Sequence, residues 1–254
     1  MQLKKLINRF FRPQVQPRPE LPDNIRIYCI GDIHGRNDLL QKLLLMIQED
    51  SLGFNGQIYM IYVGDYIDRG MQSQEVIETL LGSEQAGIHY VYLRGNHEQT
   101  LLDFLMNADV GRSWLSYGGQ STLASYKVNV NKIPTKREEF NSLREQLATN
   151  IPPSHYAFYQ KTQSCFELGN YFFVHAGVHP KYPLSKQQAE DMLWIREEFI
   201  NSHKNYEKII VHGHTVTEQV EILPHRIGID TGAYSSGILS CLVLESTQQR
   251  ILQT

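Results

Sequence analysis

Gly64-Asp65-Tyr66-Ile67-Asp68-Arg69-Gly70 closes the apolar run Ile58–Val63. An apolar run stopped by a glycine-bounded turn reads as a buried strand whose tip presents Asp65. Two carboxylates and a guanidinium within five residues are unfavourable neighbours unless cations and anions bind there. Asp65 has two oxygens and can bridge two cations, which leaves Asp68 and Arg69 on the same loop for other work. Alone, Asp-x-x-Asp-Arg is also an ordinary solvated turn, so the reading depends on whether the pattern recurs.

It does recur. Ile25–Ile30 runs into Gly31-Asp32-Ile33-His34-Gly35, and His89–Leu93 into Arg94-Gly95-Asn96-His97-Glu98. Tyr171–Val174 runs into His175-Ala176-Gly177, and Lys208–Val211 into His212-Gly213-His214-Thr215. Each strand-like run ends in a metal-competent side chain and glycine. If the strands share a sheet, their tips converge on one rim, where open α/β sheets place ligands. Five such endings are hard to assign to chance.

In this order the motifs resemble the calcineurin-like metallophosphoesterase superfamily. The Gly-Asp-x-His-Gly, Gly-Asp-x-x-Asp-Arg-Gly and Gly-Asn-His-Glu set resembles its phosphoprotein (serine/threonine) phosphatase branch, of bacterial and phage type. The matching motifs extend from Gly31 to about Gly237. The resemblance implies an α/β fold of two packed mixed β-sheets flanked by helices, layered α/β/β/α. It implies that Asp32, His34 and Asp65 hold one metal ion, and Asp65, Asn96, His175 and His214 a second. Oxygen and imidazole donors without thiolate suit Mn²⁺, with Fe or Zn²⁺ as alternatives.

The implied reaction is hydrolysis of a phosphomonoester, with a metal-bridging hydroxide attacking phosphorus in line. His97 takes the part of general acid and Asp68 holds its tautomer. Arg69 grips the phosphoryl oxygens, as does Arg196 in Leu193-Trp194-Ile195-Arg196, which resembles the family's Trp-x-Arg segment. Asn96 also faces substrate, and Glu98 lends support from behind. Asp230-Thr231-Gly232-Ala233-Tyr234 resembles the family's closing loop, with Tyr234 over the metals. The expected substrate is a phosphorylated protein or a small phosphoester. A symmetrical dinucleoside tetraphosphatase is the alternative, because that branch carries the same motifs. A metal-free phosphopeptide-binding scaffold would need lost ligand positions, and every position is filled.

The chain has 254 residues and a net charge of −3, which is ordinary for a soluble enzyme and too mild for a nucleic-acid partner. Its three cysteines, Cys29, Cys165 and Cys241, lie in apolar runs and read as reduced core residues of a cytoplasmic protein. No apolar run reaches the ~18 residues of a membrane span. Met1–Arg12 is basic and amphipathic, with Leu3, Leu6, Ile7, Phe10 and Phe11 opposite Lys4, Lys5, Arg9 and Arg12. That pattern is compatible with weak contact to an anionic membrane surface. Pro13–Pro22 reads as an extended linker, which divides the chain into residues 1–22 and a catalytic domain, 23–254, expected to be a monomer.

Within the domain, the periodicities predict helices over Asn37–Glu49, Ser73–Leu81 and Gln99–Met106 after the first three strands. Ser73 is expected to cap the second of these. A helical insert follows around 111–153, expected to act as a substrate-selecting loop or lid. Ser154–Lys161 and Lys186–Ser202 read as helices, and Gly169-Asn170 as a hairpin turn. Strands at Val220–Leu223, Arg226–Ile229 and Ile238–Glu245 give the last part a meander character, placed in the second sheet.

Overall fold

The computed structural model describes residues 17–130 and 132–254. The basic stretch Met1–Arg12 lies outside the described residues. Strand β1 (Ile25–Ile30) feeds helix α1 (Asn37–Ser51), β2 (Gln57–Tyr62) feeds α2 (Ser73–Gly82), and β3 (Ile88–Tyr92) feeds α3 (Asn96–Met106). The three strands pair in parallel, as repeated β-α units favour. Leu39, Leu40, Leu43 and Ile47 form the buried stripe of α1 on the outer face of this sheet.

The insert is made of α4 (Gly111–Trp114), a π-turn at Leu115–Gly119, α5 (Gln120–Ser125) and α6 (Arg137–Asn150), and α7 (Pro153–Lys161) follows it. The chain then builds the second sheet. Strands β4 (Cys165–Leu168) and β5 (Tyr171–Val174) form the expected hairpin, with Gly169 at φ 56°. Helices α8 (Ala189–Trp194) and α9 (Glu197–Ile200) lead to β6 (Ile209–His212), β7 (Glu221–Ile222) and β8 (Arg226–Gly228). After α10 (Ala233–Ser236) come β9 (Ser240–Glu245) and β10 (Gln248–Gln253).

The sheet orders are β10-β9-β1-β2-β3 and β4-β5-β6-β8-β7, both mixed. Ile27, Cys29, Ile61 and Val63 of the first sheet meet Tyr171, Phe173, Val211 and Ile227 of the second in a buried core between them. A further core lies under the helices on the far face of the first sheet, and another joins Phe172, Val174 and Ile210 to Met192, Ile195 and Phe199. Helix, sheet, sheet, helix is the expected layering. Each fully buried aliphatic or aromatic side chain stabilises such a stack by about 1.5–3 kcal/mol.

Four local expectations are corrected. The C-terminal strand β9 pairs antiparallel with β1 and with β10, so it extends the first sheet, not the second. The helix read over Lys186–Ser202 is interrupted: Ile195 dips into the core and Arg196 adopts φ −130°, ψ −98°. Ser73 does not cap α2, because its hydroxyl is turned to the Asp68 N–H at 3.1 Å. Leu21, counted as linker, is buried and donates its N–H to the Ser246 carbonyl at 2.9 Å.

Candidate metal centre

The loops after β1, β2, β3, β5 and β6 meet at one rim. His34, Asp65, Asp68, Arg69 and His214 all take left-handed backbone angles, with φ between 47° and 69°. For residues with a Cβ this conformation is disfavoured, and it persists where surrounding structure over-determines it. Here the surrounding structure is a set of loop staples: Ile33 N–H and His34 N–H both donate to the Asp65 carbonyl, at 3.1 and 2.9 Å. Glycine is required where carboxylates press on backbone. A Cβ at residue 95 would lie 2.1 Å from Asp65 Oδ1, and one at 213 would lie 2.0 Å from Asp32 Oδ1.

Asp65 occupies the middle of the cluster. Its Oδ2 lies 3.5 Å from His34 Nε2 and its Oδ1 lies 3.4 Å from His175 Nε2. Asn96 Oδ1 is 2.9 Å and His214 Nδ1 3.2 Å from the same His175 Nε2. Asp32 joins from the other side, its Oδ2 accepting the His214 N–H at 3.0 Å. All of these side chains are buried.

The donor set fits cations. His34 Nδ1 donates to the Ile67 carbonyl at 2.8 Å and His175 Nδ1 to the Val63 carbonyl at 2.9 Å, which leaves each Nε2 a lone pair. Lone pairs of nitrogen and oxygen then face one another at hydrogen-bond distance with too few protons between them, an arrangement that a bound cation relieves. Asp32 Oδ1 and His214 Nε2 are buried without any partner among the described residues. Burial lowers the imidazole pKa values, to about 3 for His34 and about 2 for His214, so both stay in the neutral, ligating form. Burial opposes ionisation of Asp65 too, but His175, His97, His34 and His214 together hold it below the usual carboxylate range.

His97 is engaged differently. Its Nδ1 lies 2.6 Å from Asp68 Oδ2, and its Nε2 faces Arg69 Nη2 at 3.5 Å. Burial disfavours the imidazolium, yet Asp65 and Asp68 raise its pKa to about 9. His97 Nε2 also stands near His34 and Asp65, while its Nδ1–H is held by the Asp68 carboxylate. Arg69 stacks on the exposed Tyr234 ring at 4.5 Å, and that ring meets His34 edge-on at 5.5 Å. Arg196 is anchored through Nη1 to the His214 carbonyl at 2.9 Å and makes no ion pair with Glu197 or Glu198 among the described residues.

Residues 25–235 match the profile of the calcineurin-like phosphoesterase family. The chain belongs to that family. It is 28% identical over 227 residues to serine/threonine-protein phosphatase 2 of Escherichia coli, covering 84% of this chain and 90% of that one. It is 27% identical over 234 residues to the asymmetrical bis(5'-nucleosyl)-tetraphosphatase PrpE of Anoxybacillus flavithermus, covering 84% and 88%. Its fold is similar to that of a mutant cold-active protein tyrosine phosphatase, with TM-score 0.64 at 19% identity, covering 92% and 80%. The protein is thus a hydrolase of the metallophosphoesterase superfamily, which uses divalent metals.

Around the cluster the structure adds Thr122 and Trp114, which sequence reading left unassigned. Asp68 is wholly buried and is held by the insert: Thr122 Oγ1 donates to Oδ1 at 2.6 Å and Trp114 Nε1 donates to Oδ2 at 3.0 Å. Through these two residues the insert also braces the Asp68–His97 dyad from behind. Glu98 is the hub of the loops, its carboxylate accepting N–H groups of Gly95, Asp65, Tyr66 and Ile67. Asp230, noted only as part of the closing loop, is a buried neighbour of Asp32; burial raises the pKa of both carboxyls, and the Asp230 charge raises that of Asp32 further. His212 is buried against Phe199 and does not join the cluster. His155 is buried away from the cluster, its Nδ1 bonded to the Tyr126 hydroxyl at 2.9 Å. No described helix is long and apolar enough to cross a membrane.

Proposed function

We propose that the phosphoesterase is a metal-dependent phosphoprotein phosphatase. In this reading Asp32, His34, Asp65, Asn96, His175 and His214 hold two divalent ions, Mn²⁺ first, with Fe or Zn²⁺ as alternatives. The observation that carries it is the Asp68–His97 pair, at 2.6 Å, set beside the half-buried guanidinium of Arg69. When bound, the ions would supply Lewis acidity, lowering the pKa of a coordinated water and offsetting phosphoryl charge.

The chain's own residues do the rest. Arg69 and Arg196 bind phosphoryl oxygens through planar N–H forks that match phosphate geometry. Stacking on Tyr234 holds the Arg69 fork in place, and the His214 carbonyl holds that of Arg196. Asp68 keeps the His97 proton-donating nitrogen, Nε2, turned toward the site, where it can hand its proton to the leaving oxygen. Trp114 and Thr122 keep Asp68 from rotating away. Replacing His97 by Asn is expected to keep metal binding and to lower kcat on p-nitrophenyl phosphate by ~10²–10⁴. An unchanged kcat would remove His97 from the reaction.

A second reading, hydrolysis of dinucleoside polyphosphates, is favoured by the tetraphosphatase relatives. A basic groove on the insert would support it. However, Lys132 pairs with Glu139, Arg137 with Asp109, and Arg144 reaches the Leu105 carbonyl, so these cations are engaged among themselves and their neighbours. Turnover of phosphopeptides against diadenosine tetraphosphate separates the two readings. Faster cleavage of the dinucleotide would overturn the first.

A further inference from the structure

The insert reaches the mouth of the site at the π-turn Leu115–Gly119. The helical run is kinked there, because Gly118 leaves helical backbone angles. Here Gly118 takes φ 108°, and its carbonyl accepts the Arg69 N–H at 3.2 Å. A Cβ at residue 118 would lie 2.9 Å from Arg69 N, so the turn is closed on the arginine as tightly as glycine permits.

The side chain this turn lifts out is Tyr117. Its ring is 42% exposed, and it lies 6.3 Å from the His97 ring and 6.0 Å from that of Trp194. Trp194 in turn stands perpendicular to His214 at 6.4 Å. Tyr117 and Trp194 therefore form an aromatic wall running from the proposed proton donor to the far histidine. Both rings present an open aromatic face at that place, which an aromatic ligand group can cover.

A leaving group must lie against the acid that protonates it, so whatever is esterified to the phosphate passes beside His97, and hence beside Tyr117. A phenyl ring joined directly to the ester oxygen can pack on both rings of the wall. The short aliphatic ester carbon of serine or threonine leaves most of the wall uncovered. We infer that Tyr117 and Trp194 are specificity-determining residues that favour an aromatic leaving group, the phosphotyrosyl side chain of a protein, over phosphoseryl and phosphothreonyl ones. The inference rests on the phosphoprotein reading above, and it moves the preferred side chain away from the serine and threonine that the motifs imply.

The test measures kcat/KM of the full chain in Mn²⁺ on a phosphotyrosyl peptide and on the phosphoseryl peptide of otherwise identical sequence. The phosphotyrosyl-to-phosphoseryl ratio is expected to exceed one and to fall roughly ten-fold in Tyr117→Ala, through KM more than kcat, and to recover in Tyr117→Phe. Trp194→Ala is expected to lower it in the same sense. A ratio at or below one in the unaltered chain, or the same ratio in Tyr117→Ala, overturns the inference. Diadenosine tetraphosphate is the third substrate: if it is preferred to both peptides and Tyr117→Ala lowers its kcat/KM alone, the wall holds a nucleoside and the inference is overturned. If neither peptide is hydrolysed, the phosphoprotein reading fails separately. Phenyl phosphate against ethyl phosphate then decides the wall, an unchanged ratio in Tyr117→Ala counting against it and a fall counting for it.

Discussion

Asp68 shows how a single side chain acquires a role that its local sequence does not explain. In a solvated turn it would be one carboxylate among many. Here, with no exposure, it depends on Thr122 and Trp114 for its hydrogen bonds, and His97 depends on it. Trp114→Phe keeps most of the ring and removes one donor from a buried carboxylate. The expected outcome is a loss of about 1–3 kcal/mol in stability, read by urea unfolding, together with a lower kcat. A variant with lowered stability but unaltered kcat would show that Trp114 only packs. Residues placed at the site by their own loop, such as Asp32, Asp65 and Asn96, were legible because glycine and an apolar run mark their place. Trp114 and Thr122 were not, because they lie 46 and 54 residues from Asp68 and no local pattern connects them.

At the scale of elements, periodicity and turn residues located β1 to β3, α1 to α3 and the β4–β5 hairpin to within a few residues. The misreadings share a cause: strand partners and helix breaks depend on what lies across the fold. β9 reads as a strand in isolation, but only its antiparallel register with β1 assigns it to the first sheet. Lys186–Ser202 has a helical pattern, but Arg196 leaves it to reach the His214 carbonyl. The seam between α1, β1 and β10 is fastened by Asp50, which accepts from Arg250 Nη2 at 2.6 Å and from the Tyr28 hydroxyl at 2.7 Å. Arg250 is the main cause holding the Asp50 carboxyl below its usual range, with Tyr28 and Arg26 helping against burial. A depressed folded pKa contributes stability that is present above the unfolded value, about 3.9, and is lost as pH falls through the folded one. Asp50→Asn is therefore expected to destabilise by about 1–2 kcal/mol at neutral pH. The gap from the unaltered chain should close as acidification carries the pH down through the depressed folded value. Unfolding curves at the two pH values check this, and an equal gap at both would mean that Asp50 acts through packing.

For the whole molecule, two sheets pack so that loops far apart in sequence deliver acceptors to one buried point. Such a point is unfavourable when empty, so metals should act as structural ligands too. Saturating Mn²⁺ at about one hundred times its Kd would add about 2.7 kcal/mol. For a chain of this size that corresponds to a Tm higher by roughly 5–10 °C than with chelator, measurable by calorimetry. No change in Tm would mean that the cluster takes no cation. Asp65, with one oxygen turned to His34 and the other to His175, would on the proposed reading be shared between two ions. Titrating the metal-free chain with Mn²⁺ and recording electron paramagnetic resonance tests that claim most directly. Two ions per chain with a spin-coupled signal, lost in Asp65→Asn, is the expected result. A single ion per chain, or uncoupled ions whose signal is the same in Asp65→Asn, would contradict it.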